Sequence, residues 1–314
     1  MNETLDAVPI IVFHKGNSSY LKTCLVQARK TNPRSRLILL GDASNAYLAQ
    51  EKDLQGLEHY EAEAFSGFES FLKVYKHCSA LSFRFETLSF QRWFVMREFV
   101  KRFGIKRFLH IDSDVLLFCD VTELASRFEG YDVTLMHWDE TRNMGHFFLL
   151  NRMEFLDEFC EYVLKIYQDD AEFERLKSKN FSKNKKRKKS FWISDMSFLG
   201  DFYECVGDKA FFLEECRKDG LFFDDRITYP NSFQAEFGVR RKQRIKKVRF
   251  LEGRPFVFTE DGKPMVVQML HFHSFTKFLM PYYVCGRIPH WRYFWRTLIL
   301  EHKIVKKFLK IGMN

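Results

Sequence analysis

Two aspartates separated by a single residue, Asp112 and Asp114, form the pattern in this chain with the clearest capacity for chemistry. They follow the apolar run FLHI, which is typical of a buried strand, and Ser113 lies between them. Carboxylates on alternate positions at a strand end can approach one hard divalent cation. Such a cation stabilises the negative charge of a departing diphosphate. A solvated acidic turn is the alternative, and the apolar runs on both sides favour the cation site.

A second group of candidate ligands lies near the end of the chain, where the apolar run MVVQML is followed by His271. A histidine at a strand end is often only a hydrogen-bonding residue, but its imidazole is also a common metal ligand. His273 would point to the opposite face of a continuing strand, so at most one of the two histidines reaches a shared cation. Lys277 is either a phosphate-binding cation or a surface lysine.

The elements that position these residues are predicted by the spacing of apolar residues. The runs VPIIVF (8–13) and RLILLGD (36–42) indicate buried strands, and the segment between them has apolar positions at helical spacing. Because a right-handed crossover makes such strands parallel, ligands collect at their carboxyl ends. His14, Lys15 and Asp42 stand at these ends. Asp42 either accepts a hydrogen bond from a nucleobase or ribose, or caps a helix.

The acidic pair is expected to follow the next strand of the same sheet. An amphipathic helix is predicted over 90–103 and a strand over 106–111, directly before Asp112. Arg92, in this helix, can pair with a phosphate or with a carboxylate of the site. The chain is therefore predicted to fold as α/β with a mixed sheet, to which two more strands and a helix are added over 131–138, 146–151 and 152–167.

Composition narrows the class of protein. Of the 314 residues, 36 are phenylalanine and 46% are hydrophobic, which supplies a large core and excludes disorder across the whole chain. The seven cysteines form no CxxC pair, so neither a zinc site nor a disulfide framework is indicated. No apolar run approaches the length of a membrane span and no signal-peptide pattern opens the sequence, so a cytoplasmic location is expected.

The positive charge of the chain is concentrated in a few segments. The formal net charge of +9 indicates an anionic partner, such as a nucleotide diphosphate, an acidic membrane surface or nucleic acid. Lysines cluster at 182–190, within a polar insertion at about 171–190 that is expected to be a solvated helix end or loop, and again at 242–247. The basic, aromatic tail 281–314 has helical spacing, and it either makes a peripheral membrane contact or packs on the domain.

Four segments, in order along the chain, resemble the motifs of GT-A glycosyltransferases of the glycogenin and bacterial lipooligosaccharide galactosyltransferase group. RFLHIDSDVLLFCDVTEL is similar to the metal-binding DxD segment of that family, and RNMGHFFLLN is similar to its FNxGVLLxN stretch. WISDMSFL loosely resembles its DQDxLN motif, with Met196 in the place of the glutamine. LHFHSFTK resembles its HFxGxxK motif, with Ser274 in the place of the glycine.

The resemblance covers about residues 8–280 and implies a GT-A fold, a Rossmann-like α/β/α sandwich with a mixed, mostly parallel sheet. It implies Mn²⁺ or Mg²⁺ as cofactor, with Asp112, Asp114 and His271 as ligands. It also implies a nucleoside-diphosphate sugar as donor, with a UDP-sugar preferred, and assigns Lys277 to the phosphates.

The same resemblance suggests roles for the remaining candidates. Residues near the nucleotide or donor sugar are His14, Lys15, Asp42, Arg92, Ser113, Asn143 and Gly145. Asp195 is the candidate near the acceptor, where it either orients the acceptor hydroxyl or removes its proton, and Asp139 is the reserve.

The chain is therefore interpreted as a glycosyltransferase domain (1–280) followed by a basic helical tail (281–314). It is expected to transfer a sugar from a nucleotide donor to a hydroxyl of a glycan or glycolipid. A sugar-nucleotide nucleotidyltransferase is the first alternative, although HKGNSS after the first strand offers only one glycine for a phosphate loop. A non-enzymatic nucleic-acid-binding protein built on the lysine clusters is the second, and nucleic acid is the less favoured partner.

Overall fold

The computed structural model describes residues 6–182, 190–237 and 244–284. The core of the lysine-rich run, the first residues of the second basic cluster and most of the expected tail lie outside the described residues.

The strands are β1 (Ile10–Phe13), β2 (Leu37–Gly41), β3 (Leu57–Glu61), β4 (Phe108–Asp112), β5 (Val115–Leu117), β6 (Val133–Asp139), β7 (Arg142–Met144), β8 (Phe147–Leu150), β9 (Phe181–Ser182), β10 (Ser190–Phe191), β11 (Ala210–Phe212), β12 (Leu221–Phe223), β13 (Ala235–Phe237), β14 (Arg244–Lys246), β15 (Val248–Leu251), β16 (Arg254–Phe258) and β17 (Pro264–His271). The α-helices are α1 (Ser19–Thr31), α2 (Phe68–Val74), α3 (Phe83–Arg102), α4 (Val121–Ser126), α5 (Met153–Gln168), α6 (Asp170–Lys179), α7 (Asp195–Val206) and α8 (Met280–Val284).

The central sheet has the strand order β11-β6-β8-β4-β1-β2-β3, with β7 paired to β6. Strands β1, β2, β3 and β4 are parallel, and β11 is parallel to β6. Strand β8 runs antiparallel between β4 and β6. The predicted α/β fold with a mixed, mostly parallel sheet is therefore confirmed.

Both faces of this sheet are covered, which explains its apolar strands without alternation. Every residue of β1 and of β2 is buried. One face packs against α1 and a second sheet, in the order β12-β17-β16-β15 with β5 paired to β17. The other face packs against α2, α3, α5 and α7. The four apolar positions expected on the buried face of the first helix are buried in α1: Leu21, Cys24, Leu25 and Ala28.

The second sheet completes the edge at which β1 and β4 end. Phe13 and Asp112, the last residues of these two strands, are register partners. Strand β5 begins directly after Asp114 and pairs antiparallel with β17, so that Val115 lies opposite His271. This pairing brings the end of β17 next to the acidic pair, although the two are far apart in sequence.

Three elements differ from the sequence-based expectation. Helix α3 begins at Phe83 rather than at residue 90, because Ser82 caps it by accepting a hydrogen bond from the Phe85 amide. Phe83, Arg84 and Phe85 at its start are solvent-exposed, so the spacing of buried apolar residues does not reveal this part of the helix. The short strand β7 was not anticipated. In the insertion expected at 171–190, the first part is α6, which buries Phe173 and Leu176.

None of the helices within residues 6–182, 190–237 and 244–284 is both long enough and apolar enough to cross a membrane.

Candidate functional site

The loops after β1 and β2 are tied together by side chains at the carboxyl edge of the sheet. Asp42 accepts a hydrogen bond from the Gly16 amide (2.7 Å) and another from the Ser44 amide (3.0 Å). The Asn45 amide group donates to the backbone carbonyls of His14 and Gly16. Asp42 thus shapes both loops, and it caps no α-helix.

His14 links the β1 loop to the acidic pair. Its Nδ1 lies 2.8 Å from the Ser113 hydroxyl oxygen. Burial, and the nearby Lys277 ammonium, lower the pKa of His14, so its imidazole is neutral at neutral pH. Lys15, the next residue, forms an ion pair with Glu63.

Asp114, His271 and Lys277 converge beside this loop. The Asp114 carboxylate lies 3.6 Å from His271 Nε2 through Oδ1 and 2.9 Å from Lys277 Nζ through Oδ2. Burial alone would lower the pKa of Lys277, but the Asp114 carboxylate outweighs it and raises that pKa. The ammonium also lies 4.7 Å from the centre of the Tyr20 ring.

A buried charge cluster that the sequence did not suggest fixes the orientation of His271. The ring Nδ1 lies 2.6 Å from the Asp225 carbonyl oxygen, and the His271 amide donates to Asp224 (3.1 Å). Lys246, 1% exposed, donates to Asp224 (2.8 Å), to Asp225 (3.1 Å) and to the Arg226 carbonyl (2.7 Å). Because Nδ1 carries the proton in this arrangement, Nε2 keeps its lone pair toward Asp114. One feature of the sequence could have indicated this cluster, because Asp224 and Asp225 directly follow the buried strand β12.

A second histidine, His146, packs on His271. The two rings are stacked, with centroids 4.1 Å apart and an interplanar angle of 14°. Burial, and then the proximity of His271, hold the pKa of His146 well below its ordinary value. The ring also hydrogen-bonds to the backbone of Asp224. It follows that His146 is a neutral spacer that holds the His271 ring in its plane.

The other predicted ligand, Asp112, faces a different set of partners. Its Oδ1 accepts a hydrogen bond from Arg92 Nη1 (2.7 Å) and lies 3.2 Å from His110 Nε2. Burial would raise the pKa of Asp112, but Arg92 and His110 outweigh burial and hold that pKa well below its usual range. The second nitrogen of the same guanidinium, Nη2, pairs with Asp195, which also accepts a hydrogen bond from the Trp93 indole (3.1 Å). Arg92 therefore bridges the acidic pair and the predicted acceptor-side residue.

Gly145 is placed where a larger residue would displace this bridge. A Cβ atom at this position would lie 2.7 Å from the Trp93 ring and 2.8 Å from Arg92 Nη2. Asn143, 3% exposed, lies 3.2 Å from His137 Nδ1 through its Oδ1 and points its amide nitrogen at the Leu199 carbonyl. Gly145 therefore lies directly against the Arg92 bridge, whereas Asn143 joins β7 to β6 and α7.

Asp139 lies at the rim of the site, and its partners are residues close to it in sequence. Its carboxylate forms an ion pair with Arg142 and accepts a hydrogen bond from the Thr141 amide (3.1 Å). These contacts close the turn between β6 and β7, in contrast to Asp195, which is 2% exposed. Of the two predicted acceptor-side carboxylates, only Asp195 contacts Arg92.

The side chains of the site provide some, but not all, of the ligands that a divalent cation would need. Asp114 Oδ1 and His271 Nε2 are 3.6 Å apart, less than twice the usual ligand distance of about 2.1 Å. The carboxylate oxygen suits both Mn²⁺ and Mg²⁺, whereas the imidazole nitrogen favours Mn²⁺ over the harder Mg²⁺. Asp112 keeps only Oδ2 for a metal, since Arg92 and His110 occupy Oδ1. Accordingly, no group of three or more His, Cys, Asp or Glu side chains is assembled as a metal cluster within the described parts of the chain.

Comparison with known proteins gives structural relatives only. No family model matches the chain, and no curated protein matches it by sequence.

Solved structures to which the chain is similar include three glycosyltransferases. Mouse xyloside xylosyltransferase 1 shares 13% identity over 65% of this chain and 83% of its own, with a TM-score of 0.44. The bifunctional glycosyltransferase WbbM shares 13% identity over 68% and 40% of the respective chains, with a TM-score of 0.42. An active-site mutant of LgtC shares 14% identity over 69% and 75%, with a TM-score of 0.39. Identities and TM-scores this low say nothing about substrate, so the evidence on function is the arrangement of side chains.

Proposed function

We propose that this protein is a metal-dependent glycosyltransferase. It moves a sugar from a nucleoside-diphosphate donor, preferably a UDP-sugar, to a hydroxyl of a glycan or glycolipid. The observation that carries the proposal is the convergence of Asp114, His271 and Lys277 beside Asp112. The proposal includes action in the cytoplasm, with the basic tail as a peripheral membrane contact.

The donor would lie along the carboxyl edge of the sheet, with its nucleoside at the loops after β1 and β2. Neutral His14 and the carboxylate of Asp42 can exchange hydrogen bonds with a base or a ribose. Lys277 is next along the edge and is charged, so it would bind the diphosphate. The sugar would then extend toward Asn143 and Asp195.

Asp114 and His271 would hold the divalent cation, with Asp112 contributing its free oxygen. When bound, the cation neutralises charge that develops on the departing diphosphate. The support for this assignment is the tautomer of His271, because its Nδ1 hydrogen is committed to the Asp225 carbonyl. The buried ammonium of Lys246 pairs with the carboxylates of Asp224 and Asp225 and donates to the Arg226 carbonyl, which ties this segment together behind His271.

In the transfer step, the acceptor oxygen bonds to the anomeric carbon while the bond from that carbon to the diphosphate oxygen breaks. The acceptor proton leaves in the same process and would pass to an oxygen of the departing diphosphate. Arg92 and the Trp93 indole both donate to Oδ2 of the buried Asp195, so we assign it to orienting the sugar or the acceptor hydroxyl. Arg92 holds Asp195 and Asp112 in fixed relation, which preorganises the site.

Thermal melting with a panel of nucleoside diphosphates and sugar nucleotides tests the proposal, with Mn²⁺ and again with EDTA. A ligand at about a hundred times its dissociation constant adds roughly 2.7 kcal/mol to the native state. We expect one nucleotide, preferably UDP, to raise the melting temperature only when Mn²⁺ is present. A chain that responds to no nucleotide, with or without metal, would rule out the proposed function.

A further inference from the structure

A stack of alternating aromatic rings and guanidinium groups lines one rim of the site. The Arg226 guanidinium lies 3.9 Å from the centre of the Trp138 ring and 4.5 Å from that of Tyr229. Arg142 lies 5.9 Å from the centre of the same Trp138 ring and 5.2 Å from that of Trp192. The rings and cations thus alternate in the order Trp192, Arg142, Trp138, Arg226, Tyr229.

The two arginines of this stack differ in how far their charge is neutralised. Arg142 donates two hydrogen bonds to the Asp139 carboxylate, one from Nε at 3.0 Å and a shorter one from Nη2. Arg226 has only long contacts of 3.4 Å from Nε and Nη2 to Asp225, within the part of the chain that the structure describes. Asp225 is itself shared with Lys246, at 3.1 Å. Arg226 is therefore the cation of the stack with charge left for another anion.

The position of Arg226 is rigid. Its carbonyl accepts the hydrogen bond from the buried Lys246 ammonium at 2.7 Å, and the next amide, of Ile227, donates to the His271 carbonyl at 3.1 Å. The flat guanidinium is held between two rings, and its side chain is 19% exposed. A guanidinium whose faces are covered still presents its edge, where its N–H groups can pair with two oxygens of a carboxylate or phosphate.

The stack lies on the side of the site away from the nucleotide loops. Along the sheet, β2 and β1 carry the Asp42 and His14 loops, β4 carries the acidic pair, and β6 follows after β8. Trp138 is at the end of β6, which runs parallel to β4, so it lies about two strand spacings, roughly 10 Å, beyond the acidic pair. A donor with its nucleoside over β1 and β2 would place its sugar, and then the acceptor, toward this rim.

From this geometry we propose that Arg226, clamped between Trp138 and Tyr229, binds an acidic group of the acceptor. The acceptor is then an anionic glycan or glycolipid that carries a carboxylate or a phosphate near the hydroxyl to be glycosylated. This inference rests on the proposed function, because it takes its direction from the position of the donor.

Methyl β-D-glucosides that differ only in the group at C6 test the inference on the full chain in the presence of UDP and Mn²⁺. Methyl β-D-glucuronide and methyl β-D-glucoside 6-phosphate are titrated against methyl β-D-glucoside, with binding followed by ligand-observed NMR. We expect about tenfold tighter binding of at least one acidic sugar, as one charge-assisted, bidentate pair would give. The two acidic probes distinguish a carboxylate from a phosphate as the group recognised.

Arg226→Gln should remove the preference for the acidic sugar, and Arg226→Lys should keep only part of it, because lysine has the charge without the planar fork. Arg249→Gln is the matched control, since Arg249 also stacks on an aromatic ring, Phe258 at 4.8 Å, but on the second sheet. If Arg226→Gln does not fold, the lysine variant decides: an undiminished preference overturns the inference.

Two other results would also overturn it. One is a wild-type protein that binds the neutral and acidic sugars equally. The other is an Arg226→Gln variant that loses the nucleotide-dependent rise in melting temperature, which would assign Arg226 to the donor phosphates. Failure of the proposed function itself looks different, since the wild-type protein would then show no response to any nucleotide.

Discussion

Replacing Arg92 by glutamine should destabilise the protein far more than an ordinary arginine replacement. The Arg92 side chain is 9% exposed and joins Asp112 (31%) to Asp195 (4%). Glutamine keeps part of the side-chain volume but removes the positive charge between the two carboxylates. Among the described residues, Asp195 would then keep only the Trp93 indole as a side-chain hydrogen-bond donor (3.1 Å), and burial of an unpaired charge is costly.

The magnitude follows from this burial. Removing one partner of a buried ion pair costs about 3–5 kcal/mol. The lower part of that range is expected for Arg92→Gln, because Asp112 is partly solvated and keeps His110. With an unfolding entropy of about 2.1 cal/mol/K per residue, a loss of about 3–4 kcal/mol in a chain of 314 residues lowers the melting temperature by roughly 5–6 °C.

Differential scanning fluorimetry and urea titration at pH 7.5 would measure this loss. Arg102→Gln is the control on the same helix, since Arg102 is 49% exposed; it hydrogen-bonds to Glu98 and a backbone carbonyl and lies 4.6 Å from the centre of the Phe65 ring. Adding Asp195→Asn to Arg92→Gln should recover part of the lost stability, because the unpaired charge disappears. Equal losses in Arg92→Gln and Arg102→Gln would refute the reasoning.

Three further predictions concern single residues. Gly145→Ala should cost about 1–3 kcal/mol by overpacking and lower the melting temperature, whereas Gly130→Ala, with nothing near its added Cβ, should not. Asp114→Asn should abolish the Mn²⁺-dependent part of the UDP-induced rise in melting temperature; an unchanged difference between Mn²⁺ and EDTA would exclude Asp114 as a ligand. Burial raises the pKa of Glu86 to about 7, although hydrogen bonds from Ser79 and Trp192 act in the opposite direction. The folded state therefore binds more protons than the unfolded state between about pH 4.5 and 7. The free energy of unfolding should therefore fall as the pH rises across that range. In urea titrations, Glu86→Gln should be more stable than the wild-type protein by up to about 3 kcal/mol at pH 8 and by little at pH 4.5. A gain that does not change with pH would contradict this prediction.

Local patterns in the sequence were sufficient for the main elements of the fold. Strands β1, β2 and β4 are short apolar runs, and α1 has its buried residues at helical spacing, so each could be recognised without knowledge of its partners. The same reasoning predicted which residues follow the parallel strands, and His14, Ser113 and Asp114 do lie at one edge. The start of α3 was misjudged because its first turn carries exposed aromatic residues, Phe83 (55%) and Phe85 (57%), outside the buried stripe.

What only the tertiary structure decided is the pairing of the charges. The sequence placed Asp112 and Asp114 side by side as equal ligands, but folding directs Asp112 to Arg92 and Asp114 to His271 and Lys277. Arg92 and Asp195 are 103 positions apart, and their contact exists because α3 and α7 pack on the same face of the sheet. Apolar spacing is a local property of the chain, whereas the partner of a buried charge depends on which distant elements pack against it. The sequence alone therefore determined the edge at which the site forms, and the packing of the helices and the second sheet determined how its charges are divided.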